Sequence, residues 1–419
     1  MVTLSKSLAK IRSQKILVAG DIVLDRYTVG NSQRISPEAP VPVILVEREE
    51  CKAGGAANVA LNLRAMGMQP TLLGRIGNDT AGNQLLAILQ NEGVDTSAIV
   101  RDNSPTPIKT RIIAGAQQLL RIDQETPSPL QPEIEKNILK KIPQLLEETA
   151  LVAISDYAKG FLSQPLLHTL LQAAKQHHII SISDPKGNDF SKYNGSTILK
   201  PNASETLQAA HVSNLEEAAN KILATTDIET LLVTRSENGI SLFYRDGRQE
   251  DYPVLSKEIR DVTGAGDTVL AILSAACASQ IPLSDAIPLA NIAATCAIER
   301  IGCARISLYD IANHLIQHNP YGKVWTKSSF QHLQHIFAEE PLLFIRIPKT
   351  TTLHSDQLMK LTQITENHPE KKAIAYVEGT LEDPTLLTML ASLQSLQLIV
   401  HDHQQNFEPQ SDHHLVVAL

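Results

Sequence analysis

The sequence predicts an α/β protein in which a mostly parallel sheet is flanked by helices. Over the first 300 residues, apolar runs of four to six residues alternate with longer helical patterns. Such short runs are typical of strands buried on both faces, and their alternation with helices favours parallel pairing. The predicted strands are Lys15–Gly20, Thr71–Gly74, Leu151–Ile154, Ile179–Ile182 and Leu231–Thr234.

Helices are predicted between these strands, over about 56–66, 80–92, 132–148, 163–176 and 268–279. Two β-rich stretches, 27–50 and 108–122, interrupt the alternation. The first contains Pro37, Pro40 and Pro42, which exclude it as a central strand. In a sheet of this class, ligands bind beyond the carboxyl ends of the strands, and the motifs described below fall at those ends.

The composition limits the function classes. A chain of 419 residues exceeds one usual core, so we expect a large domain and a smaller unit. The net charge of −8 argues against a nucleic-acid binder. No apolar run approaches membrane-spanning length and the N-terminus lacks a secretory pattern, so we expect a cytoplasmic protein with no membrane partner. Without C-x-x-C spacing, the four cysteines are expected to be reduced, buried thiols.

The segment Asp261–Thr268 combines features that phosphoryl transfer needs. Gly264 and Gly266 let the backbone turn, and the helix that follows offers amide groups and a positive dipole end to a phosphate. Asp267, in the first turn, can accept a proton from a hydroxyl group. The alternative is an ordinary glycine turn capped by an aspartate.

Several motifs resemble those of one enzyme family. Asp261–Thr268 resembles the C-terminal signature of the ribokinase-like (PfkB) carbohydrate kinases, and Gly54–Ala60 resembles their sugar-binding glycine pair. Four further segments are similar to the branch that phosphorylates D-glycero-β-D-manno-heptose 7-phosphate at C1: Ile35–Val43, Ser155–Gly160, Asp184–Gly187 and Val233–Glu237. The resemblance extends from about Lys15 to Ile311. It implies a ribokinase-like fold in which 27–50 and 108–122 form a β lid over the sugar; the alternative is a surface hairpin without a ligand.

The resemblance also implies roles for the phosphate-transfer residues. Asp267 corresponds to the general base, and Gly264, Ala265 and Gly266 correspond to the anion hole. ATP and Mg²⁺ are the implied cofactors, with Asn202 at the nucleotide phosphates and Glu205 near the metal. The alternative for this pair is a helix capping box. Lys186 and Arg235, each at a strand end, are further candidates for the nucleotide phosphates.

The predicted substrate-binding set lies beside the lid. Asp21, Asp25, Gly54, Gly55 and Asn58 match positions of the family's sugar site, although either aspartate could instead cap its loop. A phosphorylated sugar also requires cations. Asp156 and Lys159, from the loop after a predicted strand, and Arg111 complete the set. The cations in or beside the lid and this loop are Arg26, Arg34, Lys109, Arg111, Arg121 and Lys159.

We predict a kinase domain over 1–318, a linker over 319–335 and a small α/β domain over 336–419. Many relatives continue into a nucleotidyltransferase with a His-x-Gly-His element. The corresponding segments here, Phe344–Pro348 and Thr352–Asp356, lack it, so we expect an eroded copy or an unrelated domain without a second activity. His401, His403, His413 and His414 could suggest a metal site, but their spacing completes no known geometry. Ile301–Arg305 departs from the family pattern, which leaves the adenine pocket undefined.

The sequence therefore favours an ATP-dependent kinase that converts the heptose 7-phosphate to its 1,7-bisphosphate, in the synthesis of ADP-heptose for lipopolysaccharide. One alternative is a PfkB kinase for another sugar or sugar phosphate. An alternative of another class is a catalytically silent protein that binds a sugar phosphate. The apolar faces of the proline-framed lid strands favour a homodimer.

Overall fold

The computed structural model describes residues 2–115, 117–254, 264–300, 302–317, 324–331, 334–337, 340–348, 354–378, 385–393, 395–402 and 415–418. The chain divides into two compact units, one over 12–307 and a smaller one that combines 1–11 with 308–419. Helix Leu308–Gln317, which we predicted as the end of the kinase domain, falls in the smaller unit in this division. The first residues of the predicted linker, 319–323, and the segment Asp261–Thr263 lie outside the described residues.

The strands are β1 (Lys15–Gly20), β2 (Ile22–Ile35), β3 (Pro42–Gly55), β4 (Gln69–Gly77), β5 (Ile99–Asp102), β6 (Ile108–Ala114), β7 (Gln117–Gln124), β8 (Leu151–Ser155), β9 (Ile180–Asp184), β10 (Ile198–Leu199), β11 (Thr230–Thr234), β12 (Ile240–Tyr244), β13 (Gln249–Tyr252), β14 (Val324–Thr326), β15 (Leu342–Ile347), β16 (Lys372–Glu378), β17 (Leu398–Asp402) and β18 (Leu415–Ala418).

The α-helices are α1 (Val2–Leu8), α2 (Ala56–Ala65), α3 (Thr80–Asn91), α4 (Pro132–Leu146), α5 (Gln164–Gln176), α6 (Ala203–Ala210), α7 (Leu215–Thr225), α8 (Ala265–Ala278), α9 (Leu283–Ile298), α10 (Leu308–Gln317), α11 (Lys327–Gln331), α12 (Ser355–Glu366) and α13 (Thr385–Ser392). None of these helices has the length and apolarity that crossing a bilayer requires.

The large unit is built on a nine-stranded sheet in the order β13-β12-β11-β10-β9-β8-β1-β4-β5. Its pairings are parallel except at one edge, where β12 runs antiparallel to both β11 and β13. The predicted α/β class with a mostly parallel sheet is confirmed. The carboxyl ends of β1, β8, β9 and β10 are therefore brought to one edge, which is where the candidate site lies.

Buried side chains of the flanking helices, such as α5 and α8, stabilise this unit. In α5, Leu166, Leu167, Leu170 and Leu171 are fully buried, because their spacing puts them on one helix face. Each such side chain stabilises the fold by roughly 1.5–3 kcal/mol. Helix α8 differs, since every residue from Asp267 to Ala278 is buried. The helix is apolar all round and carries its single aspartate into the interior at its first turn.

The lid is a four-stranded sheet in the order β3-β2-β6-β7. Strands β2 and β3 form a long hairpin that extends to the pair Ile35 and Pro42. Pro42 begins β3, an edge strand, which is where a sheet tolerates proline. Strand β2 runs parallel to β6, and β6 is antiparallel to β7. Both stretches that interrupted the helical pattern thus join one sheet.

The smaller unit contains a five-stranded sheet in the order β14-β17-β16-β15-β18, and all four pairings are parallel. Its core includes buried residues of β15, β16 and β17. The unit is therefore α/β, as its apolar runs indicated. The four cysteines of the chain are free thiols; Cys277, Cys296 and Cys303 are buried, whereas Cys51 is partly exposed. Of the four histidines considered for a metal site, only His401 lies within the described residues.

Candidate active site

The first turn of α8 holds Asp267, the carboxylate that the sequence singled out. The residue is 2% exposed. Its two carboxylate oxygens accept hydrogen bonds from different elements: Asn58 Nδ2, in α2, donates to Oδ2 at 2.9 Å, and the hydroxyl of Tyr157, after β8, donates to Oδ1 at 2.9 Å. The carboxylate is consequently fixed in orientation from two sides.

Burial raises the pKa of Asp267 to about 7, because the ionised form loses its hydration. The hydrogen bonds from Asn58 and Tyr157 act in the opposite direction, and Asp184 raises the pKa further. A carboxylate with a pKa near neutrality can accept a proton from a hydroxyl group at physiological pH and release it again. Asp267 therefore has the electrostatic properties of a general base.

The backbone before Asp267 forms the start of α8, the predicted anion hole. Gly264 has φ +79°, and a Cβ atom there would lie 2.9 Å from Asn58 Nδ2, so no other residue fits without disturbing that contact. Within the described chain, the first amide of α8 bonded to a backbone carbonyl is that of Thr268, at 2.9 Å from the Gly264 oxygen. The preceding amides are the donors that a helix start leaves for an anion.

A buried ion pair that sequence reasoning missed lies next to this helix end. Lys200 Nζ is 2.8 Å from Asp184 Oδ2, and the Lys200 side chain is 3% exposed. A Cβ atom on Gly266 would lie 3.9 Å from both of these atoms. Burial raises the pKa of Asp184, while Lys200 lowers it. Asp184 is the last residue of β9 and Lys200 directly follows β10, so their position at strand ends was a usable signal.

The predicted sugar site contains a second buried ion pair, between Asp25 on β2 and Arg111 on β6. Cys303 Sγ lies 3.4 Å from Asp25 Oδ2. A Cβ atom on Gly54 would lie 2.2 Å from the same oxygen, which explains the glycine at this point of β3. The structure thus brings Asp25, Gly54 and Arg111 together. Cys303 was visible in the sequence only as a departure from the family pattern.

Two predicted substrate ligands, Asp21 and Asp156, have their oxygens engaged within the protein. Asp21 accepts hydrogen bonds from the backbone amides of Tyr157, Lys159 and Phe161 at 2.9, 3.0 and 3.3 Å. These contacts match the alternative that Asp21 organises a loop. Residue 55 is a glycine beside Asp21, because a Cβ atom there would lie only 2.5 Å from the Asp21 carbonyl oxygen.

Asp156 accepts hydrogen bonds from the Ala158 amide at 2.7 Å and from the Tyr193 hydroxyl at 2.7 Å, and it pairs with Lys192 at 2.6 Å. Its side chain is 2% exposed. These contacts fix the loop that carries Tyr157. A direct role of Asp156 in substrate binding stays a prediction.

The four predicted nucleotide ligands contact one another or their neighbours. Asn202 and Glu205 form the capping box of α6, which is the alternative that the sequence left open. Lys186 Nζ lies 2.7 Å from Glu205 Oε1. Arg235 pairs with Asp251 at 3.1 Å, and its buried Nε has no hydrogen-bond partner among the described residues. No group of three or more histidine, cysteine or acidic side chains that could hold a metal occurs in the described ranges.

Known proteins share this fold. The chain matches a ribokinase from Arabidopsis thaliana, solved with ribose and ATP, with a TM-score of 0.58 and 17% identity, over 73% of this chain and 99% of that one. It also matches phosphofructokinase-2 from Escherichia coli, with a TM-score of 0.60 and 18% identity, over 72% and 97% of the two chains. At this identity the likeness establishes the ribokinase-like fold.

Sequence comparison is more specific. The chain is 42% identical to the bifunctional protein HldE of Trichlorobacter lovleyi over 303 residues, which are 71% of this chain and 62% of that protein. It is 41% identical to the bifunctional protein HldE of Helicobacter pylori strain J99 over 313 residues, 73% and 67% of the two chains. The chain therefore spans about two thirds of the length of these relatives. The profile of the pfkB family carbohydrate kinases matches residues 13–309. With Asp267 and the helix end in place, the chain belongs to the pfkB family of carbohydrate kinases.

Proposed function

We propose that the protein transfers the γ-phosphoryl group of ATP to the C1 hydroxyl of D-glycero-β-D-manno-heptose 7-phosphate. The product would be the 1,7-bisphosphate, an early intermediate of ADP-heptose synthesis in the cytoplasm. The observation that carries the chemistry is the buried Asp267, held by Asn58 and Tyr157 at an open helix end. The choice of heptose is supported by the branch-specific motifs and by the identity to the HldE proteins.

In this proposal Asp267 takes the proton of the acceptor hydroxyl as the oxygen attacks phosphorus. The amides at the start of α8 hold the charge that builds up on the phosphoryl oxygens. Lys200 adds positive charge beside Gly266, where Asp184 holds it in position. On the acceptor side, Asp25 and Arg111 offer an acceptor and donors to the sugar hydroxyl groups.

ATP with Mg²⁺ fits the nucleotide side in one respect: the buried Nε of Arg235 is a donor that has no acceptor among the described residues. We propose that Arg235, Lys186 and Asn202 contact the nucleotide and that Glu205 binds the metal through water. Mg²⁺ would neutralise charge on the phosphates. Lys186 and Glu205 form an ion pair with each other in this structure, so this ion pair must break before the two residues contact the nucleotide and the metal.

We also propose a homodimer formed through the lid strands. These strands expose large apolar side chains, which favour burial against a partner. Leu45 and Val46 on β3 are each 56% exposed, and Leu120 on β7 is 53% exposed. The others are Ile35, Val41, Leu119 and Ile122. For the smaller unit, we keep the prediction of a domain without a second catalytic activity.

The reaction is tested by incubating the protein with ATP and heptose 7-phosphate and measuring the product mass. We expect one added phosphoryl group on C1 and release of ADP. Ribose, free fructose and fructose 6-phosphate are assayed in parallel. Faster turnover of one of these would replace heptose 7-phosphate as the substrate, and binding without turnover of any sugar would identify a silent binding protein.

Asp267→Asn should lower kcat by about 10²–10⁴-fold, because the amide cannot accept the proton.

The same variant should also change how the stability of the protein depends on pH. The pKa of Asp267 in the folded protein, about 7, exceeds the usual aspartate value of 3.8, so the folded protein binds the extra proton between these values and loses stability as pH rises through them. The variant should gain up to about 4 kcal/mol of unfolding free energy over wild type between pH 4 and pH 8. Denaturant titrations at several pH values measure this; a constant difference would contradict the buried, titrating carboxylate.

Tyr157→Phe removes a hydrogen bond that lowers the pKa of Asp267. We expect the acid limb of kcat/KM against pH to move to higher pH, with about tenfold lower activity at pH 6.5 and a smaller loss at pH 9. Tyr252→Phe is the matched control, since that hydroxyl donates to Glu250 on β13 instead. An unchanged acid limb in Tyr157→Phe would show that Tyr157 does not tune the base.

The dimer is tested by the double variant Leu45→Asp, Leu120→Asp. Charges at these exposed apolar positions of β3 and β7 should convert the dimer to a monomer in sedimentation velocity experiments. Met359→Asp is the control, because Met359 is a 74% exposed apolar residue of the smaller unit. A wild-type monomer, or a dimer that survives the double variant, would refute this interface.

A further inference from the structure

A lysine of the lid lies close to the catalytic carboxylate. Lys109 and Arg111 are two residues apart on β6, so their side chains leave the same face of the strand. Arg111 reaches the buried Asp25 from this face. The Lys109 ammonium lies 5.4 Å from the centroid of the Tyr157 ring, and the hydroxyl of that ring donates to Asp267. One aromatic ring therefore separates this cation from the carboxylate.

Lys109 has no acidic partner in the part of the chain that the structure describes, since no carboxylate there lies within ion-pair distance of its ammonium group. The Lys109 side chain is nevertheless partly buried, and this burial lowers its pKa. The positive charge of Lys159 lowers the pKa further, whereas the negative charges of Asp25, Asp123 and Glu125 raise it. A partly desolvated cation beside a second cation gains stability when an anion binds between them.

Lys159 is the second cation, and its charge acts on Lys109. Its ammonium is 2.5 Å from Glu125 Oε1, and both side chains are mostly buried. The second oxygen of that carboxylate, Glu125 Oε2, is buried without a hydrogen-bond partner among the described residues. Glu125 thus balances one of the two lysine charges and keeps a free acceptor for a hydroxyl donor. The space around Lys109 and Lys159 is suited to a ligand that carries both an anion and hydroxyl groups.

The other cations of the lid differ from Lys109 in their contacts or their exposure. Arg111 is engaged with Asp25. Arg121 donates to both oxygens of Asp123, at 2.8 and 3.0 Å, and is about half exposed. Arg34 is exposed near the far end of the hairpin. Lys109 therefore combines proximity to Tyr157, partial burial and the lack of an acidic partner.

We propose that Lys109, together with Lys159, binds the phosphate group that the acceptor sugar already carries, and that this contact selects phosphorylated over free sugars. The inference rests on the proposed function, phosphorylation of a sugar phosphate. The sugar would extend along Tyr157, with its acceptor hydroxyl at Asp267 and its phosphate at Lys109. Glu125 Oε2 would accept a hydrogen bond from a sugar hydroxyl.

The test compares kcat/KM for heptose 7-phosphate and for the same heptose without phosphate, at saturating ATP, with coupled detection of ADP. Lys109→Met should lower the value for the phosphorylated sugar by about 10- to 100-fold, as expected for a lost charged contact, and change that for the free sugar by less than about threefold. Lys109→Arg should retain most of the preference. If free heptose turns over too slowly, dissociation constants from calorimetry give the same comparison.

Arg48→Met is the matched control. Arg48 is an exposed cation of the same lid sheet, paired with Glu50 on β3, and its removal should leave both kcat/KM values unchanged. A wild-type enzyme that does not prefer the phosphorylated sugar would overturn the proposed function and this inference with it. A wild-type preference that survives in Lys109→Met, or an equal loss on both sugars, would overturn the role of Lys109 and leave the proposed function standing.

Discussion

The site depends on one constraint: a carboxylate is buried at a helix start with both oxygens held. The donor to Oδ2 is itself oriented, because Asn62 Nδ2 donates to Asn58 Oδ1 at 3.2 Å, which turns the amide nitrogen of Asn58 toward Asp267. The donor to Oδ1 belongs to a loop fixed by the backbone contacts of Asp21. The two donors to Asp267, Asn58 and Tyr157, are thus fixed by further contacts, and they keep its carboxylate in one orientation, as proton transfer requires.

This arrangement favours reactivity over stability. Burial disfavours the ionised form of Asp267, and the hydrogen bonds from Asn58 and Tyr157 together with the charge of Lys200 offset that effect only in part, since the pKa still reaches about 7. Asp25 differs, because Arg111 lies directly against it. Among the described residues, Asp25 thus has a direct ion-pair partner, which suits a binding role, whereas Asp267 is held by neutral donors, which suits the exchange of a proton.

The sequence predicted the sheet and the position of Asp267 because those features are local: apolar runs mark the strands, and glycines before an apolar helix mark an anion site. It did not predict Tyr157, Lys200 or Asp184 as site residues, because their importance comes from contacts between distant segments. Asp21 illustrates the same limit. Its residue type and place fit a sugar ligand, but its acceptors are used by amides about 140 residues away, at Tyr157 to Phe161. Helices α6, α7 and α9 were also not predicted.

The alternation of side chains along β6 determines which lid residues lie beside Asp25 and Tyr157. Side chains at alternate positions of β6 bring Arg111 to Asp25 and Lys109 to Tyr157, whereas β3 and β7 expose Leu45 and Leu120. A register shift of one residue between β2 and β6 would separate Arg111 from Asp25 and turn Lys109 away from Tyr157. The hydrogen-bonded register between β2 and β6 therefore determines which cations of β6 lie beside Asp25 and Tyr157.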